Sequence, residues 1–185
     1  GAGTSDTPSR MFAAQVSCEG CHTRTVHAGT PEFEEASLEA ERQSCVTCHG
    51  KGYDLMLDDW LRETARLTEF LEPMLKAAET ALLAAERRGE DLTEARMSVH
   101  RARHNFDFLK FGHGVHNVEY AVKLAKATVG YLDDALARMR PAHKPTAGPR
   151  VLSTPDGYCM VMCHARLGLP EDTKLDHLAC PHSLH

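Results

Sequence analysis

The sequence predicts a mainly α protein, a long helical hairpin or three-helix segment inserted between cysteine-rich loops, with few or no strands. Three observations lead there. Apolar residues between positions 53 and 140 recur at alternating spacings of four and three. Glycine-containing breaks divide that stretch, and short clusters of cysteine and histidine lie on both sides of it.

The first seam runs through Trp60, Thr64, Leu67, Leu71, Met74, Ala78, Ala81 and Ala85. The second holds Leu92, Ala95, Val99, Ala102, Phe106 and Leu109, and the third Val118, Val122, Ala125, Val129, Leu132, Leu136 and Met139. This is the heptad pattern of helices packed side by side, and it places helices near 53–88, 91–111 and 117–140. Gly89 and Asp91 mark the first turn. Gly112 and Gly114 mark the second, where Asn117 suits an N-cap. Pro73 lies within the first helix without disturbing its seam, so a kink is expected there rather than a stop.

Before that segment stand CEGCH at 18–22 and CVTCH at 45–49; after it stands CMVMCH at 159–164. C-x-x-C-H is the attachment pattern of c-type haem. Two thiols, Cys18 and Cys21 or Cys45 and Cys48, form thioethers to one porphyrin, and the adjacent His22 or His49 offers iron a nitrogen. CMVMCH has one extra residue between Cys159 and Cys163 but keeps the Cys163-His164 step, so it reads as a third site for haem c. Structural zinc is the alternative, because two cysteine pairs at this separation approach a zinc-ribbon spacing. A disulfide framework is another. Neither requires the histidine that follows each pair.

At 185 residues and 42% hydrophobic the chain suits one domain, divided into a two-haem segment (1–52), a helical segment (53–140) and a third-haem segment (141–185). A formal net charge of −5 disfavours nucleic acid as a partner. No run of apolar residues reaches membrane-spanning length. Thioether attachment follows export, so a periplasmic or extracellular location is expected. The small, polar start GAGTSDTPSR then reads as the product of signal-peptide removal, or Gly1–Ser5 as a cloning remnant.

By helical rise the first helix is about 54 Å long and the second returns about 32 Å. The loop KFGHGVHN at 110–117 should therefore point back toward the haem motifs. The segment 141–157 holds four prolines and two glycines. Extended, it spans up to roughly 55 Å, enough to bring the third motif to the others.

The three haem motifs, the stretch RHNFDFLKFGHGVHNVEYAVKL and the terminal PHSLH resemble multihaem c-type cytochromes of respiring bacteria and archaea. GHGVHN followed by a helix is similar to the helical hairpin of multihaem cytochromes related to the pentahaem nitrite reductases. PHSLH is similar to an H-x-x-H element that supplies distal ligands to two different haems in small low-potential cytochromes. The chain departs from the reductases in having no C-x-x-C-K site, so the lysine-ligated catalytic haem of that family is not implied.

Iron with two strong protein ligands has no vacant position for substrate. Beyond His22, His49 and His164, nine of the twelve histidines remain for three irons. His116, after its glycine turn, is the leading distal candidate. His182 and His185 match H-x-x-H, and His27 is the reserve. His100 and His104 fall off the apolar seam on an expected solvated face, His113 suits the turn or a propionate, and His143 lies between prolines and should be exposed. Cys180 is a lone thiol, read as buried. The expectation is an exported trihaem electron carrier serving redox protein partners, and not an enzyme. A multihaem reductase of small nitrogen or sulfur oxyanions with one open iron is the alternative. Because PHSLH precedes no further motif in this chain, a homopolymer is also envisaged in which a C-terminal histidine ligates a haem of the next subunit.

Overall fold

The computed structural model describes residues 1–30, 33–140, 142–154 and 157–168. Among them the order is α1 (Arg10–Ala13), α2 (Cys18–Cys21), β1 (His22–Thr30), β2 (Phe33–Ala40), α3 (Arg42–His49), α4 (Met56–Glu86), α5 (Thr93–Phe111) and α6 (Val118–Met139). Short turns follow: α7 (Arg150–Ser153), α8 (Gly157–Cys159), a π-helical turn Met160–His164 and α9 (Ala165–Leu167). The protein is mainly helical, as its sequence predicts.

The apolar seams build the core. Leu67, Leu71, Ala78, Ala81 and Ala85 of α4 are buried, as are all six seam residues assigned to α5. In α6 burial extends beyond the seam to Ala121, Leu124, Thr128 and Ala135 because this helix packs against both others. Leu75, outside the predicted seam, is buried as well, while Trp60 and Met74 are only partly covered. Thr128 stays satisfied by donating its hydroxyl to the Leu124 carbonyl at 2.7 Å.

The turns follow from local chemistry. Gly89 takes φ +73°, a left-handed conformation that costs glycine little, and its N–H closes on the Glu86 carbonyl. Asp91 then accepts from the Thr93 N–H at 3.2 Å to start α5. At the second turn Asn117 accepts from Tyr120 N–H at 3.1 Å, the cap expected from the sequence. α4 continues unbroken through Pro73.

Ion pairs trace the antiparallel register of α4 and α5. Arg96 meets Glu86 at 2.9 Å, Arg103 meets Glu79 through Nε at 3.0 Å, and Lys110 meets Glu72 at 3.9 Å. One helix advances seven residues per rung while the other retreats seven, which is the flanking-charge arrangement of a heptad packing.

One feature adds to the expectation of few strands, and one departs from expectation. An antiparallel hairpin of β1 and β2 fills the interval between the first two motifs, with His22 opposite Ala40 and an irregularity between His22 and Arg24. His143 is not exposed: its Nε2 lies 2.8 Å from Asp133, whose carboxylate also accepts from Thr146 N–H at 3.1 Å, pinning the proline-rich connection to α6.

Candidate functional site

The three cysteine motifs form three local structures. Cys18 and Cys21 bound one helical turn, and Cys45 and Cys48 lie within α3, so each pair shares a helix face at i, i+3. In the third motif Cys159 ends α8 and Cys163 lies in the π-helical turn, so the pair stands at i, i+4 in continuous helical backbone. His164 and Met162 are buried there.

Hydrogen bonds stitch the first two motifs together. The Cys21 carbonyl accepts from Glu41 N–H at 3.1 Å and from the Ser44 hydroxyl at 3.2 Å. Thr23, at the irregular position of β1, donates to Glu41 at 2.7 Å. Burial pushes the Cys21 thiol up, and the neighbouring Cys48 and Cys18 add to the effect; Cys45 is raised by burial and by Cys21. The four thiols are thus near neighbours. No group of three or more His, Cys, Asp or Glu among the described residues is arranged to hold a single metal ion.

All three motifs meet one end of the bundle. Arg42 at the start of α3 pairs with Asp58 on the first turn of α4 at 2.6 Å. Arg166, just past His164, pairs with the adjacent Asp59 at 2.9 Å. Tyr158, before Cys159, lies against Glu119 on the first turn of α6; burial first, then Cys159 and Glu119, hold its hydroxyl protonated well above the usual phenol range. The turn before α6 packs against α4, since a Cβ on Gly114 would come within 3.3 Å of Thr64.

The structure brings His22 and His116 together. Their ring centroids lie 6.3 Å apart with planes inclined by 20°. Such a separation also suits an ordinary aromatic contact, and the hydrogen bonds add the chemistry. His22 Nδ1 lies 2.9 Å from the Leu38 carbonyl and His116 Nδ1 lies 3.2 Å from the Gly112 carbonyl. A carbonyl only accepts, so each ring donates from Nδ1, and in the neutral imidazole the nitrogen left to act as a ligand is then Nε2. Metal-ligating histidines are held by such a bond at the other nitrogen. With about 2.0 Å from imidazole nitrogen to metal and roughly 1.1 Å from nitrogen to ring centre, two rings on opposite sides of one ion have centroids about 6 Å apart.

Comparison with protein-family models, curated proteins and solved structures yields no match. The resemblance to multihaem cytochromes therefore rests on the quoted motifs alone.

The other predicted positions are less concentrated. His49 stacks on Tyr53, with centroids 4.9 Å apart and planes inclined by 17°. His27 is exposed on β1, opposite Ala36. His100 and His104 are exposed on α5, as expected of a solvated face. His113 adopts φ +48° in the turn, and its ring meets that of His116 edge-on at 6.4 Å. Cys180, His182 and His185 lie outside the described residues, and with them the elements invoked for the homopolymer. No helix among the described residues is long and apolar enough to cross a membrane.

Proposed function

We propose that this chain is an exported electron carrier with three covalently attached c-type haems, each tethered by one cysteine pair and ligated by the histidine beside it. The observation that carries the reading is the His22–His116 pair, with its 6.3 Å centroid separation and both Nδ1 protons committed to backbone carbonyls. The residues fit the group on other grounds too. Cys18 and Cys21 share a helix face immediately before His22, and the exposed Phe12 and Phe111 flank the segments that carry the two histidines. Large exposed aromatic side chains in a small protein suit an apolar partner such as a porphyrin.

Haem supplies a one-electron couple when bound. The chain's part is to tether, to set the axial ligands and to control burial. His22 and His116 would together hold the iron at the first site, which favours electron transfer over substrate binding and lower potentials over those of His/Met ligation. Buried His164 and half-buried His22 differ from exposed His49, so the three sites would differ in solvent access and hence in potential.

Intact mass after acid denaturation, taken with the visible spectrum, tests the proposal. Three haem additions and low-spin bands are expected. Two additions would remove CMVMCH from the set, a high-spin component in the unsubstituted protein would favour the reductase, and no Soret band would overturn the haem reading.

A further inference from the structure

We propose that residues 1–9 form a strap whose seat in the α5–α6 groove positions the first haem-binding segment, with Asn105 as its anchor; this rests on the haem reading above. Asn105 is fully buried at 0% exposure. A polar side chain at such a place must find partners, and it finds them in the backbone of Ala2: Oδ1 accepts from Ala2 N–H at 2.7 Å and Nδ2 donates to the Ala2 carbonyl at 2.9 Å. This two-point bond reads main chain, as a neighbouring strand would.

The groove is shaped for a chain without side chains on either side of that bond. A Cβ on Gly1 would lie 2.0 Å from Leu124 Cδ2, and one on Gly3 would lie 2.4 Å from the Tyr131 hydroxyl. Gly3 also takes φ +69°, a left-handed conformation open to glycine. The strap then crosses to α6. The Thr7 carbonyl accepts from Asn117 Nδ2 at 2.7 Å, and Lys123 donates to the Thr7 hydroxyl at 3.0 Å.

Asn117 ties the strap to the site. The side chain that holds Thr7 also caps α6 and belongs to the residue directly after His116. Past the strap, Arg10 lies 4.0 Å from Glu119 on the same first turn of α6. The chain then turns at Gln15, where φ is +63°, and reaches Cys18. The approach to His22 is therefore fastened to the turn that carries His116. Asn105 touches neither ring and acts as a positioning residue.

The test uses the intact holoprotein with Asn105→Leu, which replaces the amide by an apolar group of similar size in the helix core, and separately Gly3→Val, which changes a strap residue and leaves Asn105 in place. Hydrogen exchange over residues 8–22 should accelerate at least about tenfold in both, the factor that loss of roughly one hydrogen bond represents, while α4 and α6 keep their protection. Carbon monoxide binding should rise from none to one equivalent per protein as His116 loses its hold on the first haem. Unchanged exchange over 8–22 in both variants would overturn the strap. Faster exchange with no gain in carbon monoxide binding would overturn its positioning role. Absence of a Soret band in the unsubstituted protein would instead refute the haem reading, and exchange alone would then decide whether the strap is seated by Asn105.

Discussion

Asp59 on the first turn of α4 forms an ion pair with Arg166 Nε at 2.9 Å, so the third cysteine motif is fastened to the helix turn on which Asp58 already holds the second. Asp59 is 13% exposed and also pairs with Arg62. Asp59→Asn should lower stability by about 1 kcal/mol, the scale of a partly shielded ion pair. Haem stoichiometry should not change. Thermal unfolding at low and high salt checks this: added salt should narrow the gap between the two proteins, and a gap independent of salt would mean that the bond is not electrostatic.

His116→Ala removes the imidazole whose ring centroid lies 6.3 Å from that of His22. One of the three haems should convert from low to high spin, read from the visible and electron paramagnetic resonance spectra, with haem content intact. A spectrum identical to that of the unsubstituted protein would transfer the ligand role to another histidine, with His113 the nearest ring described beside it.

Leu71 is fully buried at 0% exposure in the middle of α4. Leu71→Ala should cost about 2–5 kcal/mol through lost transfer energy and the cavity left behind. Urea unfolding measures it. The spin state should stay native below the transition, because the residue packs helix on helix, and an altered spectrum in the folded variant would show that the bundle core and the haem end are not separable.

The Asp134 carboxyl is held below its ordinary range, first by the Arg138 guanidinium and then by the Ser98 hydroxyl at 2.7 Å. A depressed folded pKa stabilises the native state above the unfolded value, about 3.9, and the contribution disappears as pH falls through the folded value. Asp134→Asn should therefore be less stable at pH 7 by a few tenths of a kcal/mol, a figure discounted for solvent screening. The two proteins should converge as pH falls through that folded value, so the gap at pH 7 should shrink steadily on acidification. Urea midpoints followed from pH 7 downward decide it, and a constant difference would refute the linkage.

The helical bundle was legible because its stability is written locally: a heptad seam, a glycine after α4 and an asparagine before α6 each act within a few residues. Legibility ends where partners are distant. Asn105 looks like an ordinary polar residue on the flank of the α5 seam, and its partner is 103 residues away. The hairpin was missed because HTRTVHAGT and FEEASLEA carry little apolar alternation, so nothing periodic announces strands whose pairing joins the ends of two motifs. His143 seemed exposed among prolines until Asp133 of α6 supplied its partner. At the site, His116 could be singled out beside its glycine turn, but its pairing with His22 specifically depends on how the bundle end meets β1. The extra residue of CMVMCH was visible, while the π turn that holds Cys163 was not.

The hairpin acts as a length gauge for the first ligand. The carbonyl that fixes the His22 proton belongs to Leu38 on β2, and carbonyls along a strand alternate in direction with period two. A single residue inserted between Leu38 and Glu41 would turn that carbonyl away from His22 and shift it by about 3.3 Å. Two inserted residues would restore the direction but double the displacement. The interval between the first two motifs is thus constrained in parity as well as in length, and the backbone partner of one imidazole is set by counting residues along a strand.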